Sequence, residues 1–394
     1  MRIFRSASRY HTMDDPNVIP EEETVDPLNN KDDSKQHVTD ATTKGSAEDD
    51  NVHGDPSDGR GRPDEEFCQW IHQKMTDLAP QVQELYPDLF EKCAVAVTQW
   101  RKRFHGNSPL WNRLFKQERV IKEVVESIPV IDRVMDWMER NENTTTEKIT
   151  IIDLCSGKGY LSMLLSEILP PERVQKCLLI DRAWPLCHAT PKPHHMSWEH
   201  IYGDPNDETA PHYFETWPIP LVTCKQNLKQ SREIRILKER FADDDGPVLI
   251  LAVHLCGTLS IQAVKLFQTL PTAQLLLLKP CCLPDIWHVK NTETFQIGNY
   301  CFPAKDVCAR GSWTTHSEKG KWKGPPRWHL ESKFVCWCQH LYSAMGQDPR
   351  ADDPSNAQSS NGLPKAHSVD TTRFDVPLQT KGGFQNTFLY AEKE

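Results

Sequence analysis

A chain of 394 residues has room for one large domain or two ordinary ones, and no apolar run in it is long enough to cross a membrane. The net charge of −9 is local: residues 1–66 hold 17 Asp/Glu and 8 Lys/Arg, while the other 328 residues hold 38 of each and are neutral. A uniformly acidic or basic protein is excluded, and so is a secreted disulfide scaffold, because the thirteen cysteines sit mostly in apolar runs with no paired CxxC.

Residues 1–64 are rich in Asn, Ser, Thr, Gly and Pro and poor in large apolar side chains. They cannot bury enough surface to offset chain entropy, so a disordered acidic tail is expected. The first thirteen residues carry three arginines, two serines and no acid, as a transit peptide does, but no apolar signal core. Organellar targeting is the lesser reading, and a cytoplasmic or nuclear protein is expected.

A helical extension is expected over 65–140. Phe67, Trp70, Ile71, Met75 and Leu78 recur at helical spacing, as do Phe90, Cys93, Val97, Trp100 and Phe104. A third helix is expected over roughly 110–127, and a fourth, with Ile131, Val134, Met135 and Met138, after Pro129. Residues 101–122 hold seven Lys/Arg against one Glu, with Trp111 and Phe115 interleaved. Such a face can follow a phosphate backbone, although an amphipathic helix with its aromatics in the core gives the same pattern.

From residue 149 the pattern changes to short apolar runs alternating with helices: 149–154, 177–181, 220–224, 247–253 and 274–279. Near-continuous apolar strands of this kind mean a parallel sheet covered on both faces. Leu161, Leu164, Leu165 and Ile168 form one helical stripe, ended by Pro170 and Pro171. Leu330, Phe334, Trp337, Leu341 and Met345 form another. The segments RFDVPLQT and NTFLYAEK, joined by KGGFQ, read as a closing antiparallel hairpin. The expected fold is α/β, a doubly wound, mostly parallel Rossmann-like sheet over 141–394, with a disordered insertion at 347–370. Its ligand belongs at the carboxyl ends of the strands.

The run ITIIDLCSGKGYLS (149–162) ends its strand in an acid, a cysteine and two glycines. A P-loop fails here, because Ile152 stands where the first glycine should be. A dinucleotide site survives on Gly157, Gly159 and Ser162, with Asp181 further on. An S-adenosylmethionine pocket also uses a glycine turn and a carboxylate after the second strand, and it adds an acid before the glycines. Asp153 is that acid.

DLCSGKGYLS resembles the first motif of class I (Rossmann-like) methyltransferases, with Cys155 at the first glycine position. VHLCGTLS (253–260) and KPCCLP (279–284) resemble the group that includes the tRNA ribose 2′-O-methyltransferase of the acceptor stem. The likeness covers roughly 120–284 and the closing GGFQNTFLYAEK; the zinc-finger modules of the tRNA enzyme have no counterpart here. It implies an S-adenosylmethionine-dependent methyltransferase acting on RNA, either tRNA or rRNA, at a ribose hydroxyl or a base. The implied cofactor site is Asp153, Cys155, Ser156, Gly157, Gly159, Asp181 and Asn227, with Gln226 the rival of Asn227. Gly157 and Gly159 would admit the methionine moiety, Asp153 would face its amino group, and Asp181 would accept from both ribose hydroxyls.

The reacting end is expected after the fourth and fifth strands. The absence of [DNS]PP[YFW] argues against an exocyclic base nitrogen. His254 and Lys279 could manage the proton of a hydroxyl, and Cys281 could attack a pyrimidine carbon. Zinc on His254, Cys256, Cys281 and Cys282 is a further alternative, but the spacing matches no familiar zinc pattern and no metal is expected. Residues 283–325 read as a long connection. At its end Lys319, Lys321, Lys323 and Arg327 alternate with Trp322 and Trp328, so residues 319–328 are expected to meet RNA together with 101–122. A nicotinamide-dependent oxidoreductase and an inactive methyltransferase-like binding protein stay open as rivals.

Overall fold

The computed structural model describes residues 62–104, 107–142, 146–186, 195–203, 212–242, 246–309, 327–346, 369–375 and 386–393. All lie in the unit His53–Glu394. Nearly all of the expected tail, most of the 347–370 insertion and residues 319–326 fall outside them.

Five helices come first: α1 (Asp64–Leu78), α2 (Pro80–Leu85), α3 (Pro87–Phe104), α4 (Ser108–Leu114) and α5 (Gln117–Arg140). Three acids open α1, where the positive end of the helix dipole favours them, and Phe67, Ile71 and Met75 face inward. The Asn107 side chain caps α4 by accepting the Leu110 N–H at 3.0 Å. The expected break at Pro129 does not occur, since α5 runs straight through it. Proline removes one backbone donor and crowds the preceding turn, but here Val125, Ile128, Val130 and Ile131 are all buried around it. Packing on both sides outweighs the local penalty.

The basic stretch is also used differently from expectation. Arg101 is 8% exposed and donates to the Arg62 carbonyl at 2.6 Å and to Asp64 at 2.8 Å. Its guanidinium lies 4.4 Å from the Phe67 ring centre. Arg103 pairs with Glu167 at 2.6 Å and lies over Trp217 at 3.9 Å. Trp111 and Phe115 stack on each other in the core. These groups fasten the helices together, and Asp64, assigned above to the tail, is part of the fold.

The sheet follows with β1 (Ile149–Leu154), α6 (Tyr160–Ile168), β2 (Val174–Ile180), α7 (Glu199–Tyr202), β3 (Leu221–Cys224) and α8 (Ser231–Ala242). Next come β4 (Val248–Cys256), α9 (Leu259–Thr269) and β5 (Ala273–Cys282). The expected long connection instead holds α10 (Trp287–Asn291), a hairpin of β6 (Thr294–Ile297) and β7 (Tyr300–Pro303), and α11 (Ala304–Val307). Alternating Phe295, Ile297 and Phe302 are buried there, a period-two signal short enough to be overlooked. The chain closes with α12 (Arg327–Met345), β8 (Val369–Asp375) and β9 (Thr387–Lys393).

The strand order is β3-β2-β1-β4-β5-β9-β8. The first five strands are parallel, β9 runs antiparallel to β5, and β8 antiparallel to β9. Side chains alternate between faces: Ile151, Leu179, Leu251 and Leu277 enter one core with the N-terminal helices. Ile152, Leu178, Ile250 and Leu276 enter the other core, with residues of α8, α9 and α12. The strand order reverses between β1 and β4, and in a sheet of this kind the ligand belongs at that switch point, on the carboxyl side. No helix among the described residues is long and apolar enough to cross a membrane.

Candidate active site

At the end of β1 the backbone turns sharply. Cys155, Gly157 and Gly159 have φ of 56°, 54° and 84°. A side chain at Gly159 would meet Leu179 Cδ2 at 2.3 Å, so this glycine is fixed by helix-to-strand packing. A Cβ at Gly157 would meet nothing within 4 Å. The bare backbone of Gly157 therefore borders an open cradle, with room for a ligand against the main chain.

Two carboxylates stand at the ends of β1 and β2. Asp181, just past β2, accepts the Gly157 N–H at 3.2 Å through Oδ2 and the Ala183 N–H at 2.8 Å through Oδ1. These bonds leave further lone pairs on both oxygens. Asp153 is buried at the end of β1 and accepts from the Ser162 hydroxyl at 2.8 Å. Burial pushes its carboxyl up to about 7; Asp181 and Glu123 push the same way, while Ser162 and His254 oppose. Ser156 accepts from the Trp184 indole at 3.3 Å, and burial pushes the Cys155 thiol up to about 12.

Beyond β3 the two amides separate. The Asn227 side-chain oxygen closes a turn on the Lys229 N–H at 3.1 Å. Gln226 Oε1 is buried and unpartnered, while its side chain bonds the Cys224 thiol. A buried amide oxygen with no donor is costly unless a ligand supplies one. The geometry therefore favours Gln226, with Asn227 in the turn.

The reacting end is more heavily charged than the sequence suggested. His254 has φ 63° and sits at a register shift between β4 and β5. Its Nε2 lies 2.8 Å from Glu126 and 3.4 Å from Glu123, both on α5. Burial lowers the His254 pKa, but the bonds to Glu123 and Glu126 outweigh it, and the net shift is upward. Lys279, 2% exposed, contacts Glu126 at 3.3 Å, as does Lys122. Burial would raise the Glu126 carboxyl; His254 and Lys279 outweigh it and bring it to about 2. Glu123 and Glu126 were missed from the sequence. The available signal was Glu126 standing alone within the apolar run VVESIPVI.

The thiols of Cys256, Cys281 and Cys282 gather beside His254, at the ends of β4 and β5. The His254 ring itself is held by the two glutamates, so the four-ligand set does not assemble. Cys281 donates to the His254 carbonyl at 3.2 Å and approaches Cys256 at 3.0 Å. On the other side of the glycine turn, Lys158 donates to the Arg113 carbonyl at 2.5 Å. Burial and the neighbouring Arg119, Arg113 and Lys116 all lower the Lys158 pKa, which marks a concentration of positive charge beside the cradle. Arg113 also pairs with Glu199, whereas Lys116 and Arg119 are exposed.

Residues 119–288 match the model of a methyltransferase domain family. The match begins inside α5 and so takes in Glu123 and Glu126. No curated protein matches the chain. Similar solved structures include a CurJ carbon methyltransferase at 13% identity and TM-score 0.34, covering 82% of this chain and 70% of that one. The plantazolicin methyltransferase BpumL in complex with SAH is similar at 9% identity and TM-score 0.29, covering 84% and 98%. A cyclopropane-fatty-acyl-phospholipid synthase-like protein from Lactobacillus casei is similar at 11% identity and TM-score 0.28, covering 68% and 92%. These overlaps are too loose to transfer any residue's role. Over residues 119–288 the chain is thus similar to a methyltransferase domain.

Proposed function

We propose that the chain transfers a methyl group from S-adenosylmethionine to RNA, at a ribose hydroxyl or a base, with the cofactor lying along Gly157. The open cradle at Gly157, with Asp181 bonded to its N–H and Asp153 buried at the end of the preceding strand, carries this reading. Bound S-adenosylmethionine supplies an electrophilic methyl on a positive sulfonium. Asp153 faces the cofactor's amino group, where its negative charge offsets the positive one. Asp181 accepts from the ribose hydroxyls with its remaining lone pairs, and Gln226 Oε1 accepts from the adenine amino group. Cys155 and Ser156 shape the turn through their backbone, and Gly159 lets α6 start close against β2.

At the acceptor end His254 takes up the proton that leaves as the new bond forms, and Glu126 with Glu123 fixes its ring. Lys279 is buried against Glu126 and acts as a positioning residue, holding that carboxylate charged. The closer likeness to the tRNA ribose enzyme rests on the HLCG and PCC segments, which supply His254 and the thiols at this end. Counting label from methyl-labelled S-adenosylmethionine in RNA tests the activity. Label appearing in RNA supports the reading, and label confined to protein or small molecules overturns it.

RNA as the acceptor is supported by Lys116 and Arg119, exposed beside Lys158 and the glycine turn. These replace Arg101 and Arg103, which are engaged within the fold, as the expected phosphate contacts. Lys116→Gln with Arg119→Gln should weaken RNA binding and reduce the slope of log affinity against log salt by about one for each phosphate no longer neutralised. Cofactor affinity should not change. Filter binding from low to high salt checks this, and an unchanged slope would place the RNA path elsewhere.

A further inference from the structure

The ends of β4 and β5 hold a donor set that methyl transfer does not require. These neighbouring strands pair in step from Leu249 and Leu275 to Val253 and Lys279, and then the register shifts twice, so that Leu255 faces Pro280 and Cys256 faces Cys282. His254 and Gly257, at φ 63° and 55°, bend the β4 end, and the Gly257 N–H closes it on the Cys282 carbonyl at 3.2 Å. Consecutive residues of a regular strand point to opposite faces. Here the bent ends bring two consecutive cysteines and a third together. Cys281 Sγ lies 3.0 Å from Cys256 Sγ and 3.6 Å from Cys282 Sγ, and all three fall within 4.8 Å of one another.

That spacing suits one soft cation. Four thiolates around zinc, at Zn–S distances of about 2.3 Å, stand roughly 3.8 Å apart along each tetrahedral edge. Small rotations of exposed Cys256 and Cys282 and half-buried Cys281 reach it. Exposure also gives the ion an entry path. The second cluster of ligand type, Glu123, Glu126 and His254, differs because Lys279 and Lys122 already answer its charge.

We propose that Cys256, Cys281 and Cys282 bind one Zn²⁺ as a trithiolate site whose fourth position opens toward the acceptor side of the cleft. The three thiol protons leave to solvent as the thiolates coordinate. The site stands independently of the RNA reading. A zinc-bound Cys281 is not free to attack a pyrimidine carbon, so the site closes that one route of methylation.

Metal analysis of the full chain, purified reduced with zinc present, should find one zinc per molecule. Cys256→Ser and Cys282→Ser should each weaken zinc binding at least a hundredfold, whereas Cys301→Ser, an exposed thiol on β7, should not. Cadmium titration of the unsubstituted protein reads the same site through thiolate-to-metal charge-transfer absorption, so the test does not depend on the variants folding. Saturation at one equivalent supports the site. Absence of that band, stoichiometric zinc in the triple serine variant, or a Cys256–Cys281 disulfide persisting under reducing conditions overturns it.

Discussion

Gly157→Leu should keep its fold and lose its cofactor, while Gly159→Ala should lose stability first. Both glycines have positive φ, so any side chain costs roughly 1–2 kcal/mol in backbone strain. The surroundings separate them. At Gly157 a side chain meets no protein atom and fills the cradle where the cofactor is proposed to lie. Its affinity should fall at least a hundredfold, about 2.7 kcal/mol, with a melting temperature only a few degrees lower. At Gly159 the added Cβ strikes Leu179, a fully buried side chain. Overpacking adds about 1–3 kcal/mol to the strain, a large part of a domain's net stability. Thermal denaturation beside calorimetric titration distinguishes the two. Equal effects of both variants on stability and affinity would contradict the assignment.

Cofactor affinity should rise with pH up to about 7 and then level off. Burial, with Asp181 and Glu123 nearby, holds the free Asp153 carboxyl at about 7, so the folded chain keeps a proton there that an unfolded chain releases near pH 4. The sign for stability follows: this group's contribution is present below pH 4 and lost as pH rises from about 4 to 7. Binding runs the other way. A cationic amino group favours the ionised carboxylate, so below pH 7 affinity should fall by up to tenfold per unit. Asp153→Asn should bind weakly at every pH and flatten the profile. A wild-type profile flat from pH 5.5 to 8 would remove Asp153 from contact with the amino group.

The strands and the glycine turn were legible because their signals are local. Apolar runs ended by Asp153 and Asp181 mark strand ends, and adjacent glycines mark close approach. Pro129 misled because the packing that holds α5 together comes from residues far along the chain. Arg101 and Arg103 misled because composition records charge but not partners; Asp64, Glu167 and Trp217 are brought to them only by folding. Glu126 went unnoticed for the same reason, since its partners His254 and Lys279 lie on β4 and β5. Asn227 and Gln226 are adjacent, and only hydrogen-bond accounting separates them.

Calorimetric titration of the full chain with S-adenosylmethionine and, separately, with NADH tests the cofactor site most directly. One equivalent of S-adenosylmethionine should bind, NADH should not, and Asp181→Ala should weaken the first by about 1–3 kcal/mol. Binding of NADH without S-adenosylmethionine, or unchanged affinity in Asp181→Ala, would contradict the site described here.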